Sequence, residues 1–232
     1  MITENVQDLY AEHPKIPVAI DCVVFGYEQD ELKLLLYHRR FAPHKGEWSL
    51  MGGFVQNDES MEQTVKRVLK LTVGLEHIYV DQVGAYSEPR RDPGGRVISM
   101  AYYALIRIDE HDKELVNAKG GKWWPIIKKP NLIFDHNKMV KDALEKVQNK
   151  ATFNLIGEDL LPKYFTLTQL NNLYNAIFQR HFNAGNFRKK LATLNVLDKL
   201  KTKDTQSSKR GAYFYKFKKG KKKIQYDRIV KL

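Results

Sequence analysis

Residues 53–75 read GFVQNDESMEQTVKRVLKLTVGL, and this stretch decides the fold. It starts where a short extended run, WSLMGGFV, meets two glycines. From Glu59 onward Met61, Val65, Val68, Leu69 and Thr72 recur at helical spacing, so residues 59–73 form an amphipathic helix. Gly74 stands where a helix needs a left-handed residue to stop. Upstream, IPVAIDCVVFGYE and LKLLLYHRR flank the polar break Gln29-Asp30-Glu31 and read as a hairpin of two buried strands. Downstream, IYVDQVGAYS and RVISMAYYALIRID are strands parted by the turn-rich EPRRDPGG. KWWPI is a further short strand, HNKMVKDALEKVQNK a second amphipathic helix, and residues 3–12 a short N-terminal helix. The order β-β-β-α-β-β…α is that of a mixed α/β sandwich, not of a βαβ repeat.

Charge divides the 232 residues in two. Residues 1–150 carry 21 Lys and Arg against 22 Asp and Glu, whereas residues 151–232 carry 18 against 5, so the whole excess of +12 lies in the last third. A neutral body joined to a polyanion-binding module fits that asymmetry. No run approaches the roughly 18 apolar residues that span a bilayer. The N-terminus carries early acids and no apolar core of a signal peptide, and Cys22 has no partner for a disulfide or a zinc site. These features predict a soluble, cytoplasmic protein with no membrane, metal or cofactor.

The basic third has its own pattern. FTLTQLNNLYNAIFQR starts with a capping-box spacing, Thr166 to Gln169, and a stripe of Leu170, Tyr174, Ile177 and Phe178. After HFNAG, the run NFRKKLATLNVLDKLK places Phe187, Leu191, Leu194, Leu197 and Leu200 on one helical face, with Asn186 as its cap. AYFYKFKKGKKKIQYDRIV alternates around Lys-Gly-Lys as a hairpin. Helix, turn, basic helix and basic hairpin make a winged helix-turn-helix over residues 151–232, behind a body of residues 1–150. A recognition helix must offer basic and polar side chains to a major groove. Asn186, Arg188, Lys189, Lys190, Thr193 and Asn195 meet that need, with Lys209 and Arg210 at the wing tip. Interleaved Tyr213, Phe214, Tyr215 and Phe217 also suit stacking on single-stranded RNA.

The decisive stretch resembles the Nudix box, G-x5-E-x7-R-E-U-x-E-E-x-G-U, through Gly53, Glu59, Arg67, Leu69, Gly74 and Leu75. That resemblance implies an α/β/α sandwich with a mixed sheet and hydrolysis of a diphosphate by carboxylate-bound Mg²⁺ or Mn²⁺. The metal-binding glutamates of the helix fall here at Val68, Leu71 and Thr72, which offer no anionic oxygen to a hard cation. Glu59 then salt-bridges or caps locally, Glu62 is a solvated charge, and Arg67 ties the loop to the helix. No catalytic residue is expected, and the cleft is left to sense a small molecule.

Together, the altered box and the basic third, with VAIDCVVFGY, EWSLMGGFV, RRDPGGRVISMAYYAL, FTLTQLNNLY and NFRKKL, resemble the NrtR-type, Nudix-related transcriptional regulators. The likeness is greatest to the arabinose-responsive repressors of the branch controlling sugar catabolism. It implies a homodimer on double-stranded operator DNA, released by a small sugar effector, L-arabinose. Regulators of NAD metabolism in the same family respond instead to ADP-ribose, and an active hydrolase of nucleoside-diphosphate sugars is the other alternative. Candidate effector ligands are Asp21, a carboxylate within an apolar strand, with Arg39, Arg40, Lys45, Trp48, Glu88, Arg91, Asp92 and Arg96 from three loops around the cleft.

Overall fold

The computed structural model describes residue 11 and residues 13–206, 211–218 and 229. The helix expected over residues 3–12 and the wing-tip residues Lys209 and Arg210 lie outside the described residues, as does nearly all of the chain after residue 218. A mixed sheet holds β1 (Val18–Glu28), β2 (Glu31–His38), β3 (Trp48–Ser49), β4 (Met51–Phe54), β5 (Asp81–Tyr86), β6 (Ile98–Arg107) and β7 (Gly121–Pro125). Its path runs β3-β2-β1-β6-β5, with β4 paired to β1 and β7 to β2. The central pair, β1 and β6, is parallel, and the pairings around it are antiparallel. β1 is covered on both faces, which is why VAIDCVVF reads as one apolar run.

Helix α1 (Met61–Val73) covers one face over Ile20, Cys22 and Val24, with the short α2 (Lys113–Ala118) beside it. Ser60 caps α1 in a reciprocal box with Gln63, and Gly74 ends it at φ 75°. Helix α3 (His136–Phe153) covers the other face through Met139, Val140, Ala143 and Val147, packed with Val23 and Phe25. The expected α/β/α sandwich is present. A boundary after residue 150 falls in the last turn of α3, which continues to Phe153.

The C-terminal part holds α4 (Leu167–Phe178), α5 (Ala184–Leu194) and a three-stranded sheet ordered β8 (Phe165–Thr166), β10 (Ala212–Phe217), β9 (Leu197–Asp204). The box between Thr166 and Gln169 caps α4 as expected. Its apolar stripe joins the core of α3, and the Gln148 side chain donates to the Ile177 carbonyl at 3.0 Å. Two expectations are corrected here. The basic helix stops at Leu194 because Asn195 turns left-handed at φ 51°, and its cap is Asn183, whose side chain accepts from the Asn186 amide. Leu197 and Leu200 therefore sit on a strand, and β9 pairs with β10 in the wing; the second run of the hairpin expected around Lys-Gly-Lys lies outside the described residues. The Lys-x-Lys-x-Lys spacing of β9 has the period of a strand, which the leucines masked.

Gly53 lets β4 close on α1: a Cβ there would stand 2.8 Å from Val68 Cγ2. Gly53→Ala should destabilise the protein by about 1–3 kcal/mol in urea unfolding, and most of that penalty should vanish in a Val68→Ala background. Equal penalties in both backgrounds would contradict the close approach.

Candidate functional site

Strand alternation turns Asp21 to the same face as Val23 and Phe25, under the N-terminus of α3. The carboxylate is 7% exposed. Ser99 Oγ donates to Oδ2 at 2.6 Å, Arg91 Nη2 stands 3.5 Å from Oδ2, and His136 Nε2 stands 3.4 Å from Oδ1. The Leu50 amide donates to His136 Nδ1, which leaves the Nε2 proton facing Asp21. Arg91 in turn makes a bidentate pair with Asp135, at 2.9 and 2.7 Å. Burial alone would raise the Asp21 carboxyl, but the His136 ring, the Ser99 hydroxyl and Arg91 outweigh it and hold the group below its ordinary value of 3.8. Gly52 keeps the carboxylate open, since a Cβ there would lie 2.5 Å from Oδ1.

This cluster lines a cavity of about 130 Å³, bounded also by Tyr37, Arg39, Ser49, Asp92 and Phe134. Arg91 also lines an open cleft of about 570 Å³, together with Asp135, Tyr86, Glu88, Arg90 and Lys138. Of the nine expected effector residues, Asp21, Arg39, Arg91 and Asp92 meet in the cavity, and Glu88 lies in the outer cleft. The others are placed elsewhere. Arg40 donates to the Lys119 carbonyl and Arg96 to that of Ser87, Lys45 is exposed, and Trp48 packs between His38 and Trp124. Arg39 lies against the Phe41 and Phe134 rings, 4.4 and 5.4 Å from their centroids. His136, Ser49, Ser99 and Asp135 were missed by sequence reasoning. Nothing near FDHNKM marks His136 as a partner for a residue 115 positions earlier; the only usable signal was the buried acid needing one.

On α1 the metal positions hold the wrong chemistry. Val68 is buried, Leu71 is 62% exposed, and the Thr72 hydroxyl donates to the Val68 carbonyl of its own helix. Glu59 is committed to Arg67, which grips both carboxylate oxygens and also the Phe54 carbonyl, as expected of a loop anchor. The Arg67 pair, with help from Thr64, holds the Glu59 carboxyl at about 2. Glu62 accepts from the Tyr102 hydroxyl. Among the described residues no group of three or more acidic, histidine or cysteine side chains could hold a metal ion. These residues do not fit a Nudix metal.

The exposed side of α5 presents Asn186, Arg188, Lys189 and Thr193, with Lys190 half-buried. Arg188 reaches the Thr168 hydroxyl of α4 at 3.5 Å. Asn195 faces away from that set: as C-cap its side chain accepts from Lys218 Nζ at 2.6 Å. Phe217 packs on Phe165, while Tyr213 points outward.

Because the folded Asp21 carboxyl titrates below the unfolded one, its stabilisation is complete above pH 3.8 and fades as pH falls through the folded value. Asp21→Asn should lose about 2 kcal/mol near neutral pH and show a flatter acid limb in urea unfolding between about pH 5 and about pH 2. An acid limb as steep as that of the wild type would contradict this assignment.

Comparison with known proteins places these features in a family. Residues 15–142 match the NUDIX domain, and residues 157–217 match the NrtR DNA-binding winged helix domain. The chain is 28% identical to the ADPR responsive transcriptional repressor NtrR of Acinetobacter baylyi over 211 residues, 89% of this chain and 84% of that one. It superposes on Shewanella oneidensis NrtR complexed with a 27mer DNA at TM-score 0.78 and 28% identity, covering 92% and 99% of the two chains. The NUDIX domain of that protein, complexed with ADP ribose, aligns at TM-score 0.52 and 29% identity over 62% of this chain and 99% of the other. An ADP-ribose pyrophosphatase of Methanocaldococcus jannaschii is 38% identical over 132 residues, 57% of this chain and 74% of that enzyme. The chain belongs to the Nudix family, with a winged-helix domain of the NrtR type joined to the C-terminal side of the Nudix domain.

Proposed function

We propose that the protein is an effector-responsive transcriptional repressor that binds operator DNA through α5 and the wing, as a homodimer, without hydrolysing its ligand. The observation that carries this reading is α3. Its first residue, His136, lines the cavity, and its last turns share a core with α4, next to α5. Eighteen residues at about 1.5 Å each make it a strut of roughly 27 Å between the two sites. The absence of carboxylates at 68, 71 and 72 supports a silent Nudix helix, although a pyrophosphatase is among the relatives. Arg188, Lys189, Lys190 and Thr193 are the residues proposed to meet the major groove.

ADP-ribose, or a related nucleotide, is the effector that the relatives favour: one is named ADPR responsive, and the other's Nudix domain binds ADP ribose. Such a ligand would have to span the cavity and the outer cleft around Arg91, with Arg90 and Lys138 available to its phosphates. L-arabinose and a role in carbohydrate use find no support among those relatives. One observation keeps a monosaccharide as a second reading. The cavity, at about 130 Å³, is well below the roughly 300 Å³ at which ordinary ligand pockets begin. Asp21 and His136 give it one acceptor and one donor for hydroxyl groups.

The test is selection of a preferred duplex from a random pool, followed by gel shift and melting with each ligand. Sequence-selective binding should emerge, Arg188→Ala should weaken it by about 10- to 100-fold, and ADP-ribose should raise the melting temperature and release the duplex. Release by L-arabinose and not by ADP-ribose would select the second reading. Equal binding to all duplexes, or Mg²⁺-dependent cleavage of ADP-ribose, would overturn the regulator reading.

A further inference from the structure

The wing carries a feature that groove recognition by α5 does not use. Strand β9 reads LDKLKTKD, and Lys199, Lys201 and Lys203 are exposed along it. Tyr213, opposite Lys203 on β10 and 37% exposed, gathers two of them: Lys199 Nζ lies 3.7 Å and Lys203 Nζ 4.7 Å from its ring centroid. The ladder is irregular between Tyr213 and Tyr215, so that Leu200, Lys201 and Thr202 of β9 bulge beside the ring. The acids of the strand are turned to other work, Asp198 standing 4.0 Å from Lys216 and Asp204 accepting from the Gln206 amide. Among the described residues none of the three lysines has an ion-pair partner. Two like charges beside one ring, with a third on the strand between them, repel one another until an anion neutralises them.

We infer that this outer face of the wing is a phosphate-binding track, in which Lys199 and Lys203, gathered by Tyr213, together with the exposed Lys201 between them, hold the sugar-phosphate backbone of duplex DNA. The inference rests on the regulator reading and adds to it an interaction that carries no sequence information. The track is distinct from the wing tip and fixed to α5. The Lys218 amide donates to the Val196 carbonyl at 3.0 Å, and Lys218 Nζ donates to Asn195 at the end of α5, so strand and helix approach DNA as one body. Ammonium groups serve as point charges for phosphate, and Tyr213, touching lysines and not DNA, is a positioning residue. A duplex is favoured over single-stranded RNA because the ring is occupied by cations, which leaves it poorly free to stack on bases.

The probe is a random-sequence 30-base-pair duplex, titrated with the full chain by fluorescence anisotropy at several salt concentrations. In the variant K199Q/K201Q/K203Q the slope of log affinity against log salt should fall by roughly 2.7, about 0.9 for each phosphate left without its lysine. A control in which Lys66, Lys70 and Lys119 are changed to Gln carries the same net charge and should keep the wild-type slope. Tyr213→Leu should weaken binding several-fold at an unchanged slope. Circular dichroism melting of each variant verifies folding. A wild-type slope in the triple variant, or an equal fall in the control, overturns the track, and wild-type affinity in Tyr213→Leu overturns the positioning role. Tighter binding to a single-stranded RNA of the same sequence also overturns the track, in favour of stacking. Failure of the wild type to bind any duplex would instead remove the regulator reading itself.

Discussion

A buried carboxylate on the central strand of a sheet must find cationic and hydrogen-bonding partners, and Asp21 organises this protein by doing so. Its partners come from three separate elements: Ser99 from the neighbouring parallel strand, Arg91 from the loop after β5, and His136 from the first turn of α3. Arg91 is shared with Asp135, so one guanidinium neutralises two acids and ties the loop to the helix. A hydrophobic side chain at position 21 would extend the core that Val23 and Phe25 already form, and no polar cavity would remain. The charge thus trades packing for a polar cavity, which we propose a ligand enters by competing for existing partners. The helix that supplies one of those partners also packs against the winged helix.

The opposite face of the sheet carries the loop and helix of the Nudix box. Gly53 and Val68 touch where β4 meets α1, and Arg67 and Glu59 neutralise each other instead of leaving a carboxylate free. The loop–helix geometry of a Nudix domain is held here by these side chains. Structure and catalysis are separable in this motif because the glycine, the arginine and its glutamate shape the loop, whereas other positions bind metal. Among the described residues, no helix is long and apolar enough to cross a membrane.

Much of this was legible in the sequence, for identifiable reasons. Helix α1 was readable because its apolar spacing and its Gly74 stop agree, and α4 because Thr166 and Gln169 form its cap. The basic helix was overrun because Leu194, Leu197 and Leu200 continue a helical spacing, whereas a single left-handed Asn195 redirects the backbone. Asp21 stood out as an acid in an apolar run, but His136 did not, because its role depends on a partner across more than a hundred residues. Loop arginines were the least readable: Arg39, Arg40, Arg91 and Arg96 are alike in sequence, yet of these Arg39 and Arg91 alone reach the cavity. Which way a long side chain turns from a loop is settled by backbone carbonyls such as those of Lys119 and Ser87, which no local pattern announces.

The central claim is that occupancy of the Asp21 cavity and grip on DNA are one coupled equilibrium. Coupling of this kind is reciprocal, so calorimetric titration of the effector into free protein and into the protein–duplex complex tests it most directly. The account predicts that the duplex weakens effector binding by the same factor, at least about fivefold, by which the effector weakens duplex binding. Identical effector affinity with and without the duplex would contradict it.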